Sequence, residues 1–337
     1  MESEHLLFLL VSVLLLLVLV LLPQLLLRLS IHVGRASHCF RYALPHCYGK
    51  CKSRLSAPIN IHGDHSDIMG VRDTGWAMMF AETAQEAYDN TIIAFKVAED
   101  PNVLLPVLTT LDGFVTSHAM DNCVMEEDQV VKDFVGDYKP LYPLLDTENP
   151  VGHGMFATLG NGYMKYKLTE RHALDNALEA FEKHGKEWEE ITGRSFEVVD
   201  SWGAEDANYL IVVLGSCAGN ARHQARLLRA EGKKVGVVRP RIFRPFPAKQ
   251  IVEACKNAKA VAVIDRSDSF GSPHAPLALE VRAAFQDAGL QIPVSDYLAG
   301  MGGADITLDQ MGQVYAELEQ RAQGTYDGSI KYLGIEE

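Results

Sequence analysis

Short apolar runs alternate with amphipathic segments in the second half of the chain. The runs Tyr209–Leu214, Lys234–Arg239 and Ala260–Asp265 are rich in Val and Ile and are bounded by turn residues, which is typical of buried strands. Helical periods at about Gly219–Glu231 and Pro247–Asn257 separate them. This alternation predicts a parallel sheet with right-handed crossovers. Two further helices are predicted at Pro276–Gln286 and Thr307–Gln323.

The first half contains one clear helix followed by one clear strand. Thr83 is a candidate N-cap because Glu86 follows three residues later, so a helix is predicted over Ala84–Glu99. The apolar run Val103–Leu111 then predicts a buried parallel strand that ends at Asp112. The predicted apolar face of the helix consists of Ala87, Ala94, Phe95 and Ala98, and the predicted core includes Met78, Met79 and Phe80.

Residues 121–165 show no clear period and predict an excursion that wraps the surface or a neighbouring subunit. A charged helix follows over Thr169–Thr192, with apolar contacts expected at Leu174, Ala177, Leu178 and Phe181.

The first 53 residues differ from the rest of the chain. Leu6–Leu22 is almost uninterrupted apolar sequence, long enough to cross most of a bilayer as a helix. Arginines on its C-terminal side would keep the body of the protein in the cytoplasm. The alternative that we favour is a reading-frame error or a gene-boundary artefact. If the codons for His46–Arg54 were read one base later, they could encode a sequence typical of a strand followed by a turn. Residues 38–52 as they stand predict no packed element.

Composition and charge narrow the class of protein. With 337 residues, 47% hydrophobic and 22% charged, the chain is long enough for two ordinary domains. Its net charge of −13 argues against a nucleic-acid partner. The six Cys residues form no CxxC pair, which favours a reducing cytosol and disfavours a metal site.

The loop after residue 56 has the composition of a binding loop. His62, Asp64, His65 and Asp67 lie within six residues, but so many ligands on one turn cannot all face a single ion, so no metal site is predicted. Contact with a cofactor or substrate at the strand ends is the stronger hypothesis, and turn stabilisation by hydrogen bonds is its rival.

Three further groups contain residue types used in catalysis or in anion binding. Asp112, Ser117 and His118 include the residue types of a hydrolase triad, but no GxSxG turn surrounds Ser117. Gly215 and Ser216 follow a strand and precede a helix, so they either bind an anion or form a tight turn. Three arginines, Arg239, Arg241 and Arg244, either bind an anion or lie at an interface or in solvent.

Six sequence motifs, quoted below, carry a resemblance to a known family. From about Arg54 onward the chain resembles the alpha subunit of pyruvate:ferredoxin oxidoreductase, also called pyruvate synthase, without that subunit's first hundred or so residues. The phrases occur in the order expected for this family: IHGDHSD, RDTGW, QEAYD, LLPVLTTLDGFVTSH, GKKVGVVRPRIFRPFP and AVAVIDRSDSFG.

The resemblance implies a fold and an organisation into domains. The expected class is α/β, with part of a pyrimidine-binding-type domain of thiamine enzymes over residues 54–195 and a transketolase C-terminal-like parallel-sheet domain over 200–330. Residues 1–53 form a separate, anomalous segment.

The resemblance also implies the reaction, which is reversible oxidative decarboxylation of pyruvate to acetyl coenzyme A with ferredoxin as electron acceptor. Thiamine diphosphate and Mg²⁺ would be shared with a beta subunit, and iron-sulfur clusters would lie on other subunits of the beta, gamma and delta types. The family implies a cytoplasmic location.

The candidate site follows from the same resemblance. The family's activating carboxylate lies upstream of the matched residues, so the chain as written is expected to be catalytically impaired. Arg54 lies one residue from the position of the family's substrate-binding arginine. The residues expected in the cleft are Arg54, His62, Asp64, His65, Asp112, Ser117 and His118, and those expected to bind an anion are Gly215, Ser216 and Arg241.

Two alternatives stay open at this point. One is a membrane-anchored, non-catalytic binding or scaffold protein with an α/β body. The other is a thiamine enzyme of the transketolase group, which is disfavoured because the chain lacks a GDG phrase followed by Asn.

Overall fold

The computed structural model describes residues 47–52, 60–143, 145–151, 161–325 and 329–335, with backbone alone for 47–52 and 161. Within these ranges the chain forms two sheets flanked by helices. The strands are β1 (Cys47–Lys52), β2 (Ala77–Phe80), β3 (Val107–Asp112), β4 (Val199–Trp202), β5 (Tyr209–Val213), β6 (Val235–Pro240), β7 (Ile242–Arg244), β8 (Ala260–Asp265), β9 (Val294–Leu298) and β10 (Ile330–Tyr332). The helices are α1 (Ser66–Met69), α2 (Ala84–Glu99), α3 (Asp128–Val135), α4 (Asn161–Thr192), α5 (Cys217–Ala230), α6 (Ala248–Cys255), α7 (Pro276–Asp287) and α8 (Leu308–Arg321).

The first sheet has the strand order β1-β3-β2-β7. Strands β1, β3 and β2 are parallel, so their carboxyl ends share one edge of the sheet. β1 pairs with β3 along its whole length, from Cys47 opposite Val107 to Lys52 opposite Asp112. The expectation that residues 38–52 contain no packed element is therefore wrong for 47–52. The alternating polar and small residues of this strand hid it from a search for apolar runs.

The second sheet has the strand order β10-β9-β8-β5-β6-β4. Its strands are parallel except for β4, which runs antiparallel to β6. The predicted parallel sheet is thus confirmed, and every predicted helix and strand between residues 209 and 323 ends within two residues of its observed bounds. The strands β4, β9 and β10 were not predicted.

The predictions for the first half hold for some elements and fail for others. α2 has the predicted bounds, and the Thr83 side chain accepts a hydrogen bond from the Glu86 backbone N–H, as its capping role requires. Its apolar face was partly misassigned, because Phe95 is 44% exposed while Ile93 and Val97 are fully buried. The interval 121–165 is not wholly irregular, since it contains α3 and the beginning of α4.

One hydrophobic core joins the two sheets. It contains Met78 and Phe80 from the first sheet together with Leu210, Val238 and Val263 from the second sheet. Met78, Met79 and Phe80 are fully buried, which confirms that they belong to the core.

A strand from the second half also completes the first sheet. β7 follows β6 in sequence but pairs antiparallel with β2, with Ile242 opposite Met79. The predicted domain boundaries at 54–195 and 200–330 stay a prediction, and β7 shows that the chain crosses between the sheets after residue 240.

No helix among the described residues is both long and apolar enough to cross a membrane. The apolar segment Leu6–Leu22 lies outside those residues.

Candidate active site

The carboxyl edges of the two sheets meet around the side chain of Asp112, the last residue of β3. Asp112 is completely buried and receives hydrogen bonds from two directions. Its Oδ1 lies 2.7 Å from His65 Nε2, and its Oδ2 accepts the Ser216 backbone N–H at 2.7 Å. The guanidinium Nη1 of Arg266 lies 3.4 Å from the same Oδ2. One carboxylate at the end of β3 therefore joins the loop before α1 to the loops that follow β5 and β8.

Arg266 holds this junction from the side of the second sheet. Its guanidinium donates to the Gly300 carbonyl through Nη2 at 2.9 Å, and its own carbonyl accepts the His65 N–H at 2.9 Å. Burial acts to lower the pKa of Arg266, but the neighbouring Cys217 and Asp112 outweigh burial and hold that pKa above its ordinary value. Arg266 is thus a permanent cation, and Asp112 compensates its charge.

Two glycines make the close approach of these groups possible. Gly215 has φ of 66°, and a Cβ atom there would lie 2.6 Å from Asp112 Oδ2. A Cβ atom at Gly63 would lie 2.8 Å from Arg266 Nη2. The turn at Gly215 and Ser216, predicted either to bind an anion or to be a tight turn, is a tight turn whose N–H binds a carboxylate of this chain. Binding of a free anion there stays a prediction.

Beside the junction, three rings form an exposed aromatic stack. The Phe114 and His118 rings are 4.2 Å apart between centroids and 3° from parallel. The His62 ring also contacts the Phe114 ring, with 4.4 Å between centroids and 39° between the ring planes. Phe114 is a non-glycine residue with φ of 60°, a conformation that is uncommon and concentrates at functional sites. Ser117 fixes this turn, because its Oγ accepts the Phe114 N–H and lies 2.7 Å from His118 Nδ1. We call the rings of His62, Phe114 and His118 the aromatic stack.

The structure brings the predicted cleft residues into two groups. His65 and Asp112 lie in the buried junction, whereas His62, Ser117 and His118 lie in or beside the exposed aromatic stack. Asp64 is buried, and its Oδ1 accepts the Ser66 N–H at the start of α1. Arg54 lies outside the described residues.

The hydrolase alternative receives no support from this geometry. Ser117 and His118 are within hydrogen-bonding distance of each other, but the Asp112 carboxylate is engaged by His65, Ser216 and Arg266. Ser117 moreover uses its hydroxyl to accept a backbone N–H of its own turn.

A second buried ionic network, formed by Glu82, Glu86, Asp200, Arg222, Arg239 and Arg241, joins α2 to the second sheet. Arg239 is 2% exposed and donates to both carboxylate oxygens of Glu86, at 2.9 and 2.8 Å. Arg241 donates to Glu86 Oε1 at 2.7 Å and lies over the Phe196 ring. Burial acts to raise the pKa of Glu86, but Arg239 and Arg241 outweigh it and hold that pKa below its ordinary value. Arg241 therefore contacts a carboxylate of this chain, and the predicted binding of a free anion to it stays a prediction.

A pair of buried carboxylates lies at the start of α7. Asp265 Oδ2 accepts the N–H groups of Leu277 and Ala278, while Asp296 Oδ2 accepts the Ala275 N–H. Among the described residues the Oδ1 atoms of both carboxylates have no hydrogen-bond partner. Burial, reinforced by the charge of Asp296, raises the pKa of Asp265 well above its ordinary value.

The raised pKa of Asp265 predicts a pH-dependent stability. The folded-state pKa of this carboxyl exceeds its unfolded-state pKa of about 3.9. Its contribution to stability is therefore intact at pH values below the unfolded-state pKa and is lost as the pH rises through the folded-state pKa. The Asp265→Asn variant, which keeps an acceptor for α7 and removes the charge, is expected to raise the free energy of unfolding by at least about 1 kcal/mol at neutral pH. Urea unfolding from pH 4 to 7 should show this gain growing with pH. Asp287→Asn, at the exposed end of α7, is the matched control, and a gain independent of pH would contradict the assignment.

No group of three or more His, Cys, Asp or Glu residues in the described ranges is arranged to hold a metal ion. Cys123 and Cys255 are free thiols, and burial raises the pKa of Cys255 to about 12. The absence of metal ligands elsewhere in the chain stays a prediction.

From the sequence, Arg266 was a candidate only for anion binding or for an interface, and Gly300 was not a candidate for the site. The signal that was available is their position, because Arg266 directly follows β8 and Gly300 follows β9 at the same edge of the sheet. The contacts of Arg266 and Gly300 with residues far away in the sequence could not be predicted, because a single sequence contains no pattern that pairs distant residues.

Comparison with known proteins identifies relatives across both sheets. Residues 43–187 match the family model described as pyruvate flavodoxin/ferredoxin oxidoreductase, thiamine diP-binding. Residues 207–311 match the model described as pyruvate:ferredoxin oxidoreductase core domain II. The first match begins upstream of Arg54 and includes β1, so the similarity extends further towards the N-terminus than the sequence phrases suggested.

Individual relatives agree with these matches. The chain is 40% identical over 297 residues to pyruvate synthase subunit PorA of Thermotoga maritima, which covers 88% of this chain and 74% of that protein. It is 34% identical over 284 residues to ketoisovalerate oxidoreductase subunit VorA of Pyrococcus abyssi, covering 83% of this chain and 71% of that protein. A solved 2-oxoglutarate:ferredoxin oxidoreductase from Magnetococcus marinus shares the fold, with a TM-score of 0.57 and 16% identity over 87% of this chain and 50% of that chain.

Proposed function

Because the chain belongs to the pyruvate:ferredoxin oxidoreductase family, as a subunit related to PorA of pyruvate synthase, we propose that it forms one wall of a thiamine diphosphate site in a multi-subunit enzyme. The proposed reaction converts pyruvate and coenzyme A to acetyl coenzyme A, CO₂ and one proton, transfers two electrons to ferredoxin, and is reversible. The observation that carries this proposal is the 40% identity to a pyruvate synthase subunit over 88% of the chain.

The aromatic stack supports a role in holding the cofactor. Thiamine diphosphate supplies the carbanion chemistry of such enzymes, while the protein positions it. The stack offers an exposed, flat face of the kind on which a heteroaromatic ring packs, and it lies within the match to the thiamine-binding family model. We propose that Phe114 and His118 contact the aminopyrimidine ring and that Ser117 fixes their turn.

The buried junction supports a positioning role for the loop before α1. His65 is held by Asp112 through its side chain and by Arg266 through its backbone, so the residues on either side of it are fixed relative to both sheets. We propose that this keeps His62 at the rim of the cleft, where it can bind the substrate carboxylate or orient it. Arg54 remains a further proposed contact for that carboxylate.

Other polypeptides complete the proposed enzyme. We propose that the diphosphate and Mg²⁺ are held mainly by a beta-type subunit and that iron-sulfur clusters lie on gamma- and delta-type subunits, which pass electrons to ferredoxin. These assignments rest on the family resemblance. We also propose a cytoplasmic location, which the free thiols of Cys123 and Cys255 support. No observation on the described residues favours the membrane-anchored scaffold.

Pyruvate is the proposed 2-oxoacid, with branched 2-oxoacids as the rival. The relative that is 40% identical is named for pyruvate, and the relative that is 34% identical is named for ketoisovalerate. The assembled enzyme should show a higher kcat/KM for pyruvate than for 2-ketoisovalerate. The reverse order would leave the family membership intact and overturn the choice of substrate.

The test of the cofactor role uses the chain assembled with its partner subunits. Phe114→Ala is expected to weaken thiamine diphosphate binding about tenfold, because one aromatic stacking contact contributes up to about 1.5 kcal/mol. Calorimetric titration of the assembled complex measures this, and pyruvate-dependent ferredoxin reduction measures the effect on turnover. The control is His223→Ala, which removes an exposed ring from α5. Equal cofactor affinity in both variants would contradict the proposed contact.

A further inference from the structure

A cleft lies at the amino ends of the strands of the second sheet, at the edge opposite the buried junction. Its volume is about 440 Å³, which is within the range of small-molecule sites. Residues of α5 and α8 line it, together with residues at the start of β5 and β6 and just before β8. These strands have five or six residues, so the cleft is about 15 Å or more from the active site. We call it the amino-edge cleft.

Three lysines line the amino-edge cleft, in a chain whose net charge is −13. Lys233 pairs with Glu319 at 3.8 Å, whereas Lys234 and Lys259 have no acidic partner among the described residues. The sheet fixes the backbone of both. The Asn208 N–H donates to the Lys234 carbonyl at 2.8 Å, and the Lys259 N–H donates to the Asn208 carbonyl at 2.7 Å. Two lysines without an ion-pair partner in the described part of the chain therefore flank Asn208 at this edge.

The other charges at the amino-edge cleft leave it positive. Glu319 is the one carboxylate among the described lining residues, so three lysines against one acid leave two positive charges. The C-terminal end of α5 also lies here, and its carbonyls oppose an anion. They are already occupied in part, because the Leu228 carbonyl accepts the Glu231 N–H at 3.1 Å and the Arg229 carbonyl accepts the Gly232 N–H at 2.9 Å. A ligand with two negative charges, such as a phosphate ester, complements this lining.

The remaining lining suits an organic ligand better than inorganic phosphate alone. Tyr315 is buried, and its hydroxyl donates to the Gly236 carbonyl at 2.9 Å, which fixes its ring. Leu228 is also buried, and Tyr209 is half-buried. Burial and the negative charge of Glu319 raise the pKa of Tyr209, so this carboxylate lies near the Tyr209 phenol. The cleft thus combines aromatic and apolar surface for a flat base with a carboxylate that can accept ribose hydroxyl groups.

We propose that the amino-edge cleft binds a nucleoside diphosphate. Lys234 and Lys259 bind the diphosphate, Glu319 accepts hydrogen bonds from the ribose, and the base lies against Tyr209. The described lining residues all belong to this chain and lie away from the active site, so the proposal does not depend on the proposed function.

The test is calorimetric titration of the full chain with ADP, without partner subunits and in a detergent because the chain retains Leu6–Leu22. Saturable one-to-one binding is expected. Lys234→Gln and Lys259→Gln should each weaken ADP binding roughly tenfold, because each removes a charged donor to the diphosphate. Lys183→Gln, at an exposed position of α4, is the matched control and should leave the affinity unchanged. All three lysines are exposed, and circular dichroism establishes that the variants are folded.

Inorganic pyrophosphate separates recognition of a nucleotide from attraction of any diphosphate. The unmodified chain should bind ADP more tightly than pyrophosphate. Glu319→Gln should reduce this preference roughly tenfold, because repulsion between the carboxylate and the phosphates is common to both ligands and cancels in the ratio, whereas the bond to the ribose does not. The proposal is overturned if ADP does not bind, if the Lys234 and Lys259 variants bind it as tightly as Lys183→Gln does, or if pyrophosphate binds as tightly as ADP.

Discussion

Replacing Asp112 with alanine is expected to lower the free energy of unfolding by about 3 to 5 kcal/mol, the usual cost of removing one partner of a buried ion pair. Asp112 is completely buried and is the carboxylate beside the Arg266 guanidinium, which is 3% exposed. Its removal leaves a buried cation without compensation. It also takes a hydrogen-bond partner from His65 and from the Ser216 N–H.

Urea unfolding of the full chain measures this loss, and two further variants define its origin. Asp112→Asn keeps one acceptor and should cost less than Asp112→Ala, because part of the hydrogen bonding survives. Asp175→Ala removes an exposed carboxylate from α4 and should change stability by no more than about 0.5 kcal/mol. If Asp112→Ala were as stable as Asp175→Ala, the junction would not hold the two sheets together.

Replacing Arg239 with methionine is expected to lower the free energy of unfolding by a similar amount, about 3 to 5 kcal/mol. Here the change removes the positive member of a buried ionic network. Arg239 is 2% exposed and lies between Glu82, Glu86 and Asp200, at distances of 2.8 to 3.1 Å. Methionine fills much of the volume but leaves these carboxylates with fewer positive neighbours. Arg239→Lys should also be destabilising, because a single ammonium cannot donate to both oxygens of Glu86 and to Asp200 in the same geometry.

A double-mutant cycle separates the charge effect from lost packing. Arg239→Met combined with Glu86→Gln should cost less than the sum of the two single changes, since each removes the charge that the other leaves uncompensated. Lys249→Met, on the exposed face of α6, is the matched single-residue control. Additive costs would mean that Arg239 acts through packing alone.

Local signals determined how well individual elements could be predicted. α2 was predicted to the residue because Thr83 and Glu86 cap it, and β8 because a Val and Ile run ends at an aspartate. β9 was missed because Ser295 and Asp296 occupy buried positions inside it, which breaks the apolar pattern. Buried polar residues conceal a strand when their partners lie elsewhere in the chain.

The candidate site was predictable in its parts but not in its pairings. The polar loops after the strands were recognisable from their composition, and His65 and Asp112 were both selected. The partners of Asp112, however, lie 47 residues away at His65 and 104 residues away at Ser216. The link between Arg239 and Glu86 spans 153 residues. Only the folded sheets bring such residues together, so no local pattern encodes their contact.

The pairing of β7, from the second half of the chain, with β2, from the first half, restricts motion of the two lobes. Because the second half of the chain supplies an edge strand and part of a common core to the first, the two lobes cannot swing apart as hinged bodies without breaking β-sheet hydrogen bonds. The two lobes therefore move as one body, and the loops that meet at Asp112 keep their mutual geometry as long as β7 stays paired with β2.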